Sequence, residues 1–190
     1  MTDDRLLTSG NGRRNALLRY PPGNGYGGSM DGAVMDGEDF KDAMSRHAVS
    51  VEIVTVNTTE GPVGITVSAF VSVSVDPPIV LVCVDKITGS LDAMISADGY
   101  TVNFMPQGTE DTAMLFATRG ADKFGSVEWS DPETPVAGPI LAEAFQVFEC
   151  ETIQRTEMGD HWVLYGLVRR GTVGDAKSLL YVNRGFTELR

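Results

Sequence analysis

The sequence predicts a mainly β fold: an antiparallel barrel with short peripheral helices. Three observations carry this. Six or more segments of the 190-residue chain read as strands, the helix-like segments between them are short, and the two do not alternate in a βαβ rhythm. A doubly wound sheet needs that rhythm, whereas a closed antiparallel sheet does not. The length suffices for one domain with a full core.

The elements follow in order. Residues 1–38 are rich in Gly, Asn, Asp and Ser, with PPGNGYGGSMDG at their centre, and predict a disordered tail ahead of a domain spanning 39–190. Arg13-Arg14 lacks the apolar stretch of an export signal behind it, because ALLRYPP is short and ends in prolines. Phe40, Ala43, Met44 and His47 recur at helical spacing, with Asp39 as the cap and His47 as a structural residue on the inner face. VEIVTVN (51–57) is a β-branched strand, and the turn TEGP leads it into a hairpin with 62–68.

In GITVSAFVSVSVDPP (64–78), Val67, Ala69, Val71, Val73 and Val75 predict a core face. Thr66, Ser68, Phe70, Ser72 and Ser74 form an opposite face that is polar and uncharged. Pro77-Pro78 interrupts the ladder, and IVLVCVD (79–85) reads as a central strand, apolar on both faces. A short helix (90–97), the strand YTVNFM (100–105) and a helix over 110–118, with Met114, Leu115 and Phe116 facing inward, come next. A prolyl loop (125–139) precedes two long strands, 145–154 and 161–171, joined by the turn TEMGD, and SLLYV (178–182) closes the fold.

Charge and composition exclude some functions. The formal charge is -11, from 26 acidic and 15 basic residues, which does not suit a nucleic-acid surface. No apolar run reaches the roughly 20 residues that span a bilayer, and a cytoplasmic protein is expected. Cys83 and Cys150 lie in apolar strand text and read as small buried residues. With two histidines and two cysteines far apart, no metal site is expected.

Four constellations can carry chemistry. The hydroxyl face of 66–74 lets a flat ligand approach the backbone, or it simply relieves crowding inside a barrel. DKITGS (85–90) opens a helix, where Thr88 or Ser90 can cap and Lys86 adds charge; a phosphate suits such a place, and so does an ordinary capped helix. In FATRGADKF (116–124), Arg119 and Lys123 are cations for a second phosphate, or members of a solvated turn. In GDH (159–161), His161 either meets a ligand at the barrel mouth or is structural. There is no P-loop, nucleophile elbow or G-x-G-x-x-G before a helix. Hydroxyls and an anion anchor without a nucleophile or metal point to chemistry brought by the ligand.

Taken together, GITVSAFVSVSVDPPIVLVCVDK, YTVNFM, FATRGADKFGSVEW, FECETIQRTEMGDHWVLYGLV and LLYVNRGF resemble, in order, the flavin reductase family with the FMN-binding split barrel, over residues 40–189. These are the short-chain reductase components of two-component flavin monooxygenases. The resemblance implies a split, Greek-key barrel, a homodimer, FMN or FAD as flavin and NADH or NADPH as co-substrate. It implies hydride transfer from the nicotinamide to the flavin, which then serves a partner monooxygenase. A flavin-binding carrier or sensor without reductase activity is the alternative.

The resemblance also distributes roles. Pro62, Val63, Gly64, Ile65, Thr66, Ser68 and Ala69 would line the isoalloxazine ring. Cys83, Val84, Asp85, Lys86, Thr88, Gly89 and Ser90 would hold the ribityl and phosphate part, and Leu115, Phe116 and Lys123 the rest of a dinucleotide flavin. His161, a candidate catalytic residue, would border the nicotinamide with Tyr181, Val182, Asn183, Arg184 and Phe186.

Overall fold

The computed structural model describes residues 34–189; of the predicted tail, residues 1–33 lie outside them. The first helix is α1 (Gly37–Ser45), capped by Asp36, whose side chain accepts from the Glu38 N–H, and not by Asp39. It buries none of its residues, and His47 lies beyond its end and is exposed, so the predicted inner face does not exist within this chain.

Twelve strands follow in order: β1 (Val49–Ser50), β2 (Glu52–Thr58), β3 (Gly61–Val67), β4 (Phe70–Val75), β5 (Pro78–Asp85), β6 (Gly99–Phe104), β7 (Trp129–Ser130), β8 (Ile140–Leu141), β9 (Gln146–Met158), β10 (His161–Val173), β11 (Leu180–Val182) and β12 (Gly185–Thr187). Helix α2 (Leu91–Ser96) separates β5 from β6, and α3 (Glu110–Ala117) follows β6. Seven strands form one antiparallel sheet in the order β3-β2-β6-β9-β10-β5-β4.

That order forces closure. β3 and β4 are the two edges of the sheet, yet only Ser68 and Ala69 separate them in sequence. Three Cα steps reach about 11 Å at most, so the sheet must curl until its edges meet. At this corner the Cys83 N–H donates to the Ala69 carbonyl at 3.0 Å, which carries the β4–β5 ladder past the end of β4. The predicted antiparallel barrel with peripheral helices is therefore the observed fold.

Val54, Val56, Ile65, Val67, Val82 and Val84 fill the barrel with Tyr100 and Leu164. A second cluster beneath α3 joins Ile53, Met105, Ala113, Phe116 and Leu179. β6 is buried at every residue, its polar Thr101 and Asn103 included.

Several expectations change. The valine face of 66–75 is core only as far as Val67; past the corner, Val71, Val73 and Val75 on the edge strand are 52%, 48% and 88% exposed. Pro77-Pro78 makes the tight turn between β4 and β5, with Pro78 already paired to Val75. In α3 it is Ala113 and Phe116 that turn inward, while Met114 is exposed. The TEM of the predicted turn belongs to β9, leaving Gly159 and Asp160 to link β9 to β10. The C-terminal strands pair with β1 in a separate three-stranded sheet, β1-β11-β12.

Candidate functional site

A cavity of about 1050 Å³ opens where β3, the end of β5, the turn into α2 and the loop after α3 meet. Its size matches pockets that hold a cofactor. One wall is β3. As an edge strand it pairs with β2 alone, so backbone groups along its free side have no strand partner. These groups, with the small residues Gly64, Ser68 and Ala69, give the wall a flat, uncharged, hydrogen-bonding surface.

Behind that wall the chain is tightly fitted. A Cβ on Gly64 would lie 2.6 Å from Cε1 of Phe116, so the aromatic ring rests on bare backbone. Thr66 Oγ1 donates to the Ala113 carbonyl at 2.6 Å and ties β3 to α3. Lys123 Nζ donates to the Gly64 carbonyl at 2.9 Å and the Phe116 carbonyl at 2.7 Å. Burial lowers the Lys123 pKa from its ordinary value.

The opposite wall depends on strand parity and register. Val82 and Val84 point into the core, so Cys83 and Asp85 face the cavity. Antiparallel pairing places His161 directly opposite Asp85, bringing the GDH turn to the cavity. His161 Nδ1 and Asp160 Oδ1 are 2.7 Å apart. Because a carboxylate only accepts, the Nδ1–H is the donor in this contact. The same bond lowers the Asp160 pKa.

The predicted residues divide clearly. Pro62, Val63, Gly64, Ile65, Thr66, Ser68 and Ala69 line the cavity. So do Cys83, Asp85, Thr88, Gly89, Ser90, Phe116, Lys123 and His161. Val84 does not, being sealed in the core. Lys86 turns away: its ammonium donates to Glu157 at 2.5 Å and to the Gly159 carbonyl at 2.6 Å. Leu115 packs against the cluster beneath α3.

Tyr181, Val182, Asn183, Arg184 and Phe186 are also absent from the cavity wall. Tyr181 and Phe186 meet edge to face at 5.5 Å in the smaller sheet, the Asn183 N–H donates to the Ser45 carbonyl, and Arg184 faces Asp42 of α1. Pairing of this segment with β1 draws it toward α1 instead. The helix opened by DKITGS has six residues, and Ser90 stands at its cap without a side-chain capping bond. Its hydroxyl is thus uncommitted, while Thr88 Oγ1 accepts from the Ser90 N–H at 3.4 Å.

Sequence reasoning missed most of the loop Ala117–Asp122 and the tip residues Glu60 and Ile87, which also line the cavity. Apart from Arg119, these positions carry no distinctive chemistry; the run of small residues around Gly120 was their sole signal.

A flat, uncharged backbone wall beside a turn bearing two hydroxyls, with Arg119 reaching that turn from the loop after α3, fits a planar heterocycle with a phosphorylated tail, and a flavin is such a molecule. Comparisons with known proteins agree. The flavin reductase like domain matches residues 44–190. The chain is 31% identical over 158 residues to the stachydrine N-demethylase reductase subunit Stc3 of Rhizobium meliloti, covering 83% of this chain and 68% of that one. It is 33% identical over 158 residues to the FMN reductase (NADH) RutF of Methylorubrum extorquens, covering 82% and 76%. Among solved structures it resembles the NADH:FAD oxidoreductase SgcE6 of Streptomyces globisporus in complex with NAD and FAD fragments, with a TM-score of 0.76 and 28% identity over 84% of this chain and 98% of that one. The chain belongs to the family of the flavin reductase like domain.

Proposed function

We propose that this protein is an NAD(P)H:flavin oxidoreductase that passes a hydride from a reduced nicotinamide to FMN or FAD and supplies reduced flavin to a separate monooxygenase. The observation that carries the reading is the free edge of β3 beside a hydroxyl-bearing turn, in a chain whose relatives are named FMN reductase (NADH) and NADH:FAD oxidoreductase. Service to a partner oxygenase is supported by relatives named as reductase subunits, among them the flavin-dependent monooxygenase subunit HsaB of Rhodococcus jostii.

The flavin, when bound, supplies the two-electron acceptor. This chain supplies position and polarity. N–H groups on the free edge of β3 bond the polar rim of the ring, and the small side chains of Ser68 and Ala69 keep its face clear. Thr88 and Ser90 hold the phosphorylated tail. His161, fixed by Asp160 through Nδ1, leaves its other ring nitrogen to orient the nicotinamide amide. No side-chain nucleophile is needed, because catalysis here is the alignment of two bound molecules.

The exposed valines of β4 and the unburied helix α1, with Phe40 and Met44 exposed, support a homodimer in which a second copy covers these apolar faces. Among the described residues, no helix is long and apolar enough to cross a membrane. We place the protein in the cytoplasm, where both nucleotides are met.

The test is to mix purified protein with FMN or FAD and NADH or NADPH in air, and to follow nicotinamide absorbance. Steady oxidation that depends on added flavin is expected. Quenching of flavin fluorescence without oxidation indicates a carrier, and no response of either kind overturns flavin binding altogether.

A further inference from the structure

We infer that Lys86 is a positioning residue for the reduction: it clasps the turn between β9 and β10 and so sets the aim of His161 at the nicotinamide. The inference rests on the oxidoreductase reading above and deepens it by naming what holds the imidazole in place.

His161 is the first residue of β10, so its direction follows from the turn before it. That turn is Gly159 and Asp160, with Gly159 in the left-handed region at φ 60°. The Asp160 side chain is 89% exposed and adds no packing to the turn. What steadies the turn must therefore act on its backbone. Among the described residues, both of its carbonyls accept from one residue. The Lys86 N–H donates to the Asp160 carbonyl at 3.0 Å, and the Lys86 ammonium donates to the Gly159 carbonyl at 2.6 Å.

The clasp is anchored at both ends. Lys86 lies one residue past the rung on which Asp85 faces His161, so β5 delivers it to the turn. Its ammonium also donates to the carboxylate of Glu157 at 2.5 Å. Glu157 belongs to β9 and pairs with Trp162 of β10. The side chain thus passes from the end of β5 over the start of β10 to β9. An ammonium carries three donors, which suits two acceptors at once. Peptide units are planar, so holding these two carbonyls fixes the backbone on both sides of Asp160. The Asp160 carboxylate, 2.7 Å from Nδ1, passes that constraint to the ring.

The same geometry separates Lys86 from a role toward anions. Its ammonium is neutralised by Glu157, and it is not part of the cavity wall. Its influence reaches the cavity through His161, which does line it.

The experiment measures NADH oxidation at saturating FMN for wild type, Lys86→Met, Lys86→Arg, His161→Gln and the double variant Lys86→Met with His161→Gln. Fluorescence titrations of FMN and thermal melts accompany the kinetics. Lys86→Met is expected to raise the KM of NADH about fivefold and to leave the Kd of FMN within about twofold. In the His161→Gln background the same substitution should add almost nothing, because it acts through the imidazole. Lys86→Arg keeps the charge and should recover most of the loss. The chain has two histidines, so His161→Gln identifies the ring signals of His161 in NMR spectra. Those signals should move in Lys86→Met and return in Lys86→Arg. If Lys86→Met melts early, Glu157→Gln, which frees the ammonium from β9, carries the same comparison. A KM effect that persists undiminished without His161 overturns the inference, as do ring signals that stay in place. So does a Kd of FMN that rises as far as the KM, which would make Lys86 an anion ligand. Wild-type protein that oxidises no NADH with FMN or FAD defeats the oxidoreductase reading instead, and the ring signals then decide the clasp alone.

Discussion

The ammonium of Lys123 donates to the carbonyl of Gly64 at 2.9 Å and ties the loop after α3 to the edge strand of the barrel. A second bond, to the Phe116 carbonyl at 2.7 Å, holds the ring that rests on Gly64. The lysine thus braces the cavity wall from behind. Lys123→Met keeps the stem but leaves two part-buried carbonyls without a donor. The expected result is a stability loss of about 1–3 kcal/mol in urea unfolding. Flavin affinity should fall to the same extent for FMN and riboflavin. A loss confined to FMN would make Lys123 a phosphate ligand and remove it from this bracing role.

Asp160 fixes the proton on His161, so Asp160→Asn should let the ring change tautomer and turn. The expected outcome is a rise in the KM of the nicotinamide of roughly two- to fivefold, the range for an exposed charged contact. The flavin Kd should move less. Steady-state kinetics at saturating flavin, beside a fluorescence titration, make the comparison. A variant with unchanged KM would show that the imidazole does not meet the nicotinamide.

Glu52 is fully buried inside the barrel wall, between Val67 of β3 and Phe104 of β6. Ser50 Oγ donates to one carboxylate oxygen, and the other has no partner among the described residues. Burial raises its pKa from 4.5 to about 7, against the opposing bond from Ser50. The unfolded chain releases this proton at lower pH than the folded one does. The group's contribution is therefore fully present below pH 4.5 and lost as pH rises through about 7. The loss is on the order of 3 kcal/mol. Glu52→Gln should raise Tm at pH 8 and change it little at pH 5. A difference in Tm that does not vary with pH would show that Glu52 does not titrate in this window.

Val73 lies in the middle of β4, whose outer edge is open and whose valines face outward. A lysine on an exposed edge discourages strand pairing and apolar contact. Val73→Lys should shift the protein toward monomer in sedimentation velocity, with Tm falling only as far as dissociation requires. An unchanged sedimentation coefficient would move the proposed interface away from β4.

Much of the cavity could be read from three short stretches. GITVSA, the TGS of DKITGS and the Phe116–Lys123 run all fall on it, because each combines small residues or hydroxyls with an interruption of regular structure. Strand parity could also have excluded Val84, which lies between Cys83 and Asp85 and must point the other way. Other features depend on pairing that no local pattern carries. Valine and serine alternate straight through Ser68 and Ala69, so periodicity shows one strand where the chain turns a corner. Lys86 belongs to the anion-suited stretch DKITGS, yet the β9–β10 hairpin brings Glu157 and the Gly159 carbonyl to it. Tyr181 and Phe186, which the resemblance sets beside the nicotinamide, pair around β1 and do not line the cavity of the single chain.

The origin of the cavity lining has a practical consequence. All but one of the residues that form it lie between Glu60 and Phe124, and His161 is the exception. Ligand preference in this protein is thus encoded as a nearly continuous cassette, with one outside reference point. A block exchanged with a relative over that span would carry all of the lining but His161 with it. The junction to preserve is the single rung at which Asp85 faces His161, since a shift there would leave the transplanted walls intact and the histidine out of step with them.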